Sequence, residues 1–416
     1  MAAEVSKSGS KREAKPPLVY FLGGYHPVNE SYIRSPPSNV RLESRVSVRA
    51  FDDFRIAGDI DPLWKSTKRL ADFTFRLLNQ PRIVPVLRRC DLIHTNGSII
   101  PASFTPWIAN VENPSAFYGF NEKWFLSKSM KKRLAGHLLS RRCRAILPYS
   151  EASKKYLLIC LQEWKDELES KIQVVYPAID RYLVRTDRRT RMPGETLKFL
   201  FVGNHFFDKG GREAVRAFRH VREIGQCELN IVSAAPEHQR REFREILPIL
   251  KKERGVKFHL TGVRRHELME MYRSSDVFVF PSYMDQVPFV LFEAMAAGLP
   301  VIGSNVFAVP EQVLDGINGL IVKSPIVAFP TDKLRTREHL DTYMKEVMNE
   351  KNFDGVVDQL IEKMTLLLTN SQLRDRFRQG SLDMVTSGRF STQSRNAILG
   401  RIYEESLSSS PLKEAF

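Results

Sequence analysis

Residues 281–305 read PSYMDQVPFVLFEAMAAGLPVIGSN, and this stretch decides the fold. It is entered by the β-rich run DVFVFPS (276–282) and left by a second one, LPVIGSN (299–305). Between them a short loop carries Asp285, and Pro288 opens an apolar run of helical length. Strand, helix and strand in this order predict two parallel strands joined by a crossover helix. Proline suits the first helical position, because its φ is already helical and its missing N–H would have no intrahelical acceptor there. Glu293 falls in the second turn and interrupts FVLFEAMAAGLPVI, a run too hydrophobic for an exposed helix face.

The same alternation continues outward. In the second half LKFLFVG (197–203), ELNIVSA (228–234), VKFHLTG (256–262) and GLIV (319–322) are the other predicted strands. In the first half they are LVYFLG (18–23), VSVRAF (46–51), DLIHT (91–95), PWIANVE (106–112), AILPYS (145–150) and QVVYP (173–177). Short β-rich runs separated by helical stretches predict an α/β fold, with parallel sheets covered by helices on both faces. A chain of 416 residues with 43% hydrophobic residues exceeds what one core normally holds. Two domains are therefore expected, at 17–180 and 197–388. The polar, Arg-rich segment 181–196 links them, about 323–352 reads as an insertion, and a closing helix and tail occupy 389–416. Residues 1–16 are polar and basic, lack the apolar core of a secretory signal, and read as a disordered tail.

Charge and cysteine usage narrow the partners. A net charge of +15 favours anionic ones: nucleotide diphosphates, acidic lipid surfaces or nucleic acid. Four cysteines, Cys90, Cys143, Cys160 and Cys227, without a CxxC pair fit a reducing, cytoplasmic setting. No apolar run approaches the roughly 18–20 residues that span a bilayer, so membrane contact is expected to be peripheral, on the inner face. A nucleic-acid partner would rest on charge alone, since no RNP or zinc-finger pattern is present.

A helix that opens at Pro288 carries unpaired N–H groups and a partial positive charge of roughly half an elementary unit at its start. The amides of Phe289 and Val290 would thus suit a diphosphate. Glu293 behind them could accept from ribose hydroxyls, and Asp285 from hydroxyls of a sugar, each carboxylate taking two protons. The alternative for two acids eight residues apart is a loop acid and a surface-helix acid, and the apolar setting of Glu293 argues against it.

The segment resembles the signature of glycosyltransferase family 4: two acids either side of seven other residues, then Ala-Met-Ala-x-Gly-x-Pro-Val-Ile. The resemblance implies the GT-B fold, two facing Rossmann-like domains with an interdomain cleft. It extends to GRFSTQSRNAILGRIYEESL, which is similar to the family's closing helix that crosses back to the first domain. It further implies retaining sugar transfer from a nucleotide diphosphate sugar to an acceptor hydroxyl, with no metal and no cofactor. Asp285 replaces the usual glutamate and loses one methylene of reach. Pro288 stands where many members have glycine.

LFVGNHFFDKGGREAVRAF resembles the family's phosphate loop, where a basic pair faces the donor diphosphate. Lys209 matches the second member of that pair, and Asn204 takes the place of the first, leaving His205 or Arg212 to compensate. VKFHLTGVRRHELMEMYRSSDVFVFPSY matches the stretch leading into the acids, with a nucleobase pocket expected near Thr261 to Arg264. VPEQVLDGINGLIV matches the stretch that follows, where Glu311 starts a helix.

In the first half Gly23-Gly24 follows the first strand, the expected place for a cleft loop where donor and acceptor meet the backbone. Many family members carry a histidine at the end of the strand PWIANVE, and the aligned residue is Glu112. Two readings stand: Glu112 contacts the acceptor or donor sugar, or it forms an ion pair inside the first domain. His26 and His94 are weaker candidates.

Residues 123–144 hold eight Lys/Arg and no acid, with Leu126, Met130, Leu134 and Leu138 at four-residue spacing, and residues 64–90 add seven basic residues against one acid. Such a helix lies on an anionic membrane or packs its stripe on the sheet. Lipid-linked acceptors are common in the family, so a glycan or lipid-linked acceptor is expected. The alternative function is a GT-B-shaped protein that binds or epimerises a nucleotide sugar without transferring it, which would need further acid/base residues in the cleft.

Overall fold

The computed structural model describes residues 15–24, 26–46, 80–119, 127–184, 194–235, 237–260, 263–328 and 336–408. Most of the predicted strand at 46–51, the tail, residues 64–79, Leu126 and Thr261 lie outside them.

The first half builds β1 (Leu18–Leu22), β2 (Arg41–Ser44), β3 (Ile83–Pro85), β4 (Leu92–Thr95), β5 (Ile100–Ala102), β6 (Trp107–Val111) and β7 (Cys143–Pro148). Five of these form a parallel sheet in the order β2-β1-β4-β6-β7, and β3 and β5 pair as a separate parallel ribbon. Strands β4 and β6 are buried along their whole length, which is why LIHT and WIANV read as apolar runs without alternation. Its longer helices among the described residues are α1 (Pro27–Arg34), α2 (Lys128–Leu139) and α3 (Glu151–Cys160). The apolar stripe of α2 does not face outward: Met130, Leu134 and Leu138 pack in one core with Ile93, Trp107 and Ile146. QVVYP is not a ladder strand. It runs extended beside β7, where Gln173 and Val175 donate to the carbonyls of Ile146 and Pro148. Pro148 has no N–H to return, so the ladder does not propagate.

The second half builds β8 (Leu197–Asn204), β9 (Cys227–Ala234), β10 (Val256–Leu260), β11 (Val277–Phe280), β12 (Val301–Ser304) and β13 (Gly319–Val322), all parallel in the order β10-β9-β8-β11-β12-β13. Its longer helices among the described residues are α4 (Gly211–Val221), α5 (Arg240–Lys252), α6 (Arg265–Ser274), α7 (Phe289–Ala296), α8 (Arg337–Met348), α9 (Asp354–Thr369) and α10 (Ser371–Thr386). Period-two alternation sends Phe199 and Phe201 to one face, with Val356 and Leu360 of α9, and Leu200 and Val202 to the other, with Leu291 and Phe292 of α7. Tyr343, Val347 and Phe353 join the first of these cores, so the described part of 323–352 is packed into the domain.

The last helix, α11 (Thr392–Ser408), returns to the first sheet. Its Leu399, Ile402 and Tyr403 share a core with Val19, Phe21 and Tyr32. Buried Arg395 donates to Ser31 Oγ at 2.6 Å and to the Ser35 carbonyl at 2.7 Å, beneath the Tyr32 ring.

Strand order locates the site. The chain steps from β8 outward through β9 and β10, then returns to β11 on the opposite side, so the ends of β8 and β11 border a topological switch point. Open parallel sheets bind ligands in that crevice. In the first sheet the switch lies between β1 and β4.

Candidate functional site at the interdomain cleft

Leaving β8 at Asn204, the chain turns through His205 in the left-handed region, φ +66°, and reaches Lys209 and Gly210. Gly210 has φ +76°, and a Cβ there would sit 2.5 Å from the Pro281 carbonyl oxygen. This close approach presses the β8 loop against the end of β11. Lys209 Nζ therefore reaches the 281–287 loop, donating to the Met284 carbonyl at 2.5 Å and to Asp285 Oδ2 at 2.6 Å. Ser282 Oγ donates to the same Oδ2 at 2.8 Å. An ammonium has three N–H donors, so one is left for an incoming anion.

Helix α7 begins at Phe289, one residue later than predicted. Pro288 takes the cap position with an extended ψ of 113°, and Phe289 and Val290 form the first turn. Glu293 is 4% exposed. Burial raises its carboxyl above the usual range, and the Arg265 guanidinium opposes that rise. Arg265 Nη1 donates to Glu293 Oε1 at 2.9 Å, while Nη2 lies 3.0 Å from Glu30 Oε2 on α1 of the first domain. Glu30 also accepts from Arg34 Nε at 2.8 Å and from the Tyr182 hydroxyl. The partner of the predicted ribose acid is thus one residue past the stretch expected to hold the base. Arg264 itself is exposed and pairs with Glu267 at 2.9 Å. The available signal for Arg265 was electrostatic: a carboxylate in so apolar a helix requires a cation.

The first domain meets this site with two elements. The loop after β1 places Gly23 where a Cβ would lie 2.8 Å from Asn29 Nδ2, and Gly24 where a Cβ would meet open space. Asn29 Nδ2 donates to the Gly24 carbonyl at 2.8 Å, and Asn96 Nδ2 donates to Asn29 Oδ1. Glu112 follows β6 and faces Asp285. Burial pushes its carboxyl up to about 7, with the charge of Asp285 adding to the rise and the Val287 amide and Lys209 opposing it. Its charged neighbours therefore lie in the second domain, not inside the first.

The other candidates divide. Arg212 does not replace the missing loop cation: it is folded inward, donating to Glu213 Oε1 at 2.7 Å and to the carbonyls of Val347 and Met348. His205 lies 3.4 Å from Asp208. Asn204 is exposed at the end of β8. His26 caps α1, accepting the Val28 amide on Nδ1 at 3.3 Å, with its ring edge-on to Phe289 of α7. His94 is a core residue, its Nδ1 2.7 Å from the Tyr403 hydroxyl, and burial lowers its pKa to about 3. Glu311 binds across the domains: its carboxylate accepts the Glu151 and Ala152 amides at the start of α3, both at 2.9 Å, and the Tyr176 hydroxyl at 2.6 Å. Among the described residues no three His, Cys, Asp or Glu side chains are grouped to hold a metal ion, and no helix is long and apolar enough to cross a membrane.

Residues 185–339 match the profile of the family Glycosyl transferases group 1. This stretch of the chain is similar to the group 1 glycosyltransferases. Lys209, Arg265, Asp285 and Glu293 of the group 1 region fall inside the matched residues, and Gly23, Gly24, Glu30 and Glu112 come from the domain facing it. One relative is the D-inositol 3-phosphate glycosyltransferase of Corynebacterium aurimucosum, 31% identical over 157 residues, which are 36% of each chain. The chain spans about a third to a half of the length of the curated relatives it matches most strongly. Over the whole chain the likeness is one of fold. A glycosyltransferase from Rickettsia africae superposes with a TM-score of 0.60 at 14% identity, covering 95% of this chain and all of the other. Anabaena Alr3699/HepE, solved in complex with UDP and glucose, superposes with a TM-score of 0.57 at 12% identity, covering 93% and 99%. The chain has the GT-B fold.

Proposed function

We propose that this chain is a retaining, metal-independent glycosyltransferase that moves a sugar from a nucleotide diphosphate sugar to an acceptor hydroxyl. The reading is supported by one convergence: Lys209 and the helix α7 that carries Glu293 border the β8/β11 switch point, and His26, just after Gly23-Gly24, packs edge-on against Phe289 of α7. The diphosphate lies against the amides of Phe289 and Val290, with the third N–H of Lys209 on an oxygen. Helix dipole and ammonium together stabilise the charge that develops on the leaving diphosphate, which is the contribution a divalent cation would otherwise supply. Glu293 accepts from the ribose. Asp285, held by Lys209 and Ser282, accepts from the transferred sugar, and Glu112 reaches it from the other side.

The acceptor is a glycan or lipid-linked hydroxyl in cell-envelope polysaccharide, glycolipid or glycoconjugate synthesis, with the protein cytoplasmic and peripheral on the inner membrane face. The names of the relatives and the basic first domain support this. A panel of UDP-, GDP- and ADP-sugars, read by thermal shift and donor hydrolysis, tests it. Glu293→Ala and Lys209→Ala should each abolish turnover of the productive donor while staying folded, and wild-type-like turnover in either would overturn the assignment. Epimerisation without transfer is the competing outcome, and Glu112 is the cleft carboxyl whose raised pKa suits acid/base work. An epimerised donor recovered from an acceptor-free reaction would select it.

A further inference from the structure

The first domain exposes two large apolar side chains at one end of the β3–β5 ribbon. Leu87 is 96% exposed and Phe104 83%. They follow β3 and β5, in which Pro85 registers with Ala102 and the Val86 amide donates to the Ala102 carbonyl at 3.4 Å. Each lies two residues beyond that register, at the same end of the ribbon. Arg142 covers the Phe104 ring, its Cζ 4.6 Å from the centroid, and donates to the Ser103 carbonyl at 3.5 Å. Arg88 and Arg89 follow Leu87, Arg141 precedes Arg142, and all four are exposed. The nearby acids are Glu43, paired with Arg88 and near Arg41, and Asp91, which accepts the Leu18 amide at 2.7 Å.

Helix α2 cannot supply the apolar part of a membrane contact, because its stripe is in the core. Leu87 and Phe104 can, and the arginines around them match a negatively charged surface. We infer that this end of the β3–β5 ribbon docks on an anionic phospholipid bilayer, Leu87 and Phe104 entering the headgroup–acyl boundary and the flanking guanidiniums meeting lipid phosphates. The inference rests on the peripheral-membrane part of the proposed function and on no part of its transfer chemistry.

The test is flotation of the full chain with vesicles of phosphatidylcholine alone or mixed with roughly a third phosphatidylglycerol. Wild type should float with the mixed vesicles and be released by high salt. The double variant Leu87→Ser, Phe104→Ser should lose at least about tenfold in partitioning, while Leu260→Ser, at an exposed position of the second domain, should not. Donor hydrolysis should persist in the double variant, which separates loss of docking from loss of the transferase reading. A Phe104→Trp variant gives a second measure: brominated acyl chains should quench its added emission. Absence of wild-type binding, equal binding by the double variant, or unquenched emission from the added indole would overturn the inference.

Discussion

Arg265 Nη1 sits 2.9 Å from Glu293 Oε1, a contact that opposes the rise that burial imposes on this carboxyl. The same guanidinium reaches Glu30 across the cleft, so one side chain ties the second turn of α7 to α1 of the first domain.

Replacing it should therefore change donor binding in a pH-dependent way. In Arg265→Gln the main influence opposing burial at Glu293 is lost, leaving the Tyr272 hydroxyl, and its carboxyl rises further. Donor KM should increase at least about tenfold near neutrality and recover partly as pH rises and Glu293 ionises, with Arg265→Lys restoring most of the loss. Donor KM measured across pH for the three proteins decides this, and an unchanged KM in Arg265→Gln would remove Arg265 from the site.

Glu112 makes an opposite kind of prediction, on stability. Its pKa rises from an ordinary 4.5 to about 7 in the folded protein, so between those values the folded state holds a proton that the unfolded state has released. Stability from this group thus falls as pH rises through that window and is lowest above about 7. Glu112→Gln should be neutral at pH 5 and more stable than wild type by ~1–2 kcal/mol at pH 8, after allowing for partial exposure. Paired thermal melts at the two pH values test it.

Gly210 is a steric prediction. A methyl group there meets the Pro281 carbonyl at 2.5 Å in a left-handed conformation. Gly210→Ala should cost about 2–4 kcal/mol, or displace the β8 loop and take Lys209 off Asp285. Chemical denaturation together with donor affinity distinguishes the two, and a fully active, equally stable variant would show that the loop is looser than its geometry.

Glu311 caps a helix of the other domain. Its substitution by Ala removes the acceptor of two amides at the start of α3 and a negative charge at a positive helix end. A loss of about 1 kcal/mol in stability is expected, with faster protease cleavage between the domains as the second readout.

The sheet of the second domain was legible because its strands are apolar and complete, as DVFVFPS and LKFLFVG are. Strand β2 was not: among the described residues RLES is an edge strand bonded only to β1, with mixed polarity and no alternation to reveal it. Three-residue β3 contains Pro85 and is too short for any periodic signal. In the site, Lys209 and Asp285 could be placed from local sequence because each follows a strand end at the switch point. Arg265 and Glu30 could not, since their relation to Glu293 is created by packing between elements far apart in the chain. The reading of Glu112 stayed divided for the same reason: whether its charged neighbours lie in its own domain or across the cleft is decided only by how the two sheets face.

The returning helix α11 carries a consequence for biosynthesis. Residues of the first sheet leave the ribosome first, yet Leu399, Ile402 and Tyr403, which close their core, are made last. The second sheet and its helices, contiguous from Leu197 to Thr386, can complete their fold while the earlier half waits. The half synthesised first is therefore finished last, and nascent chains broken off before Thr392 present an uncovered apolar strip to chaperones.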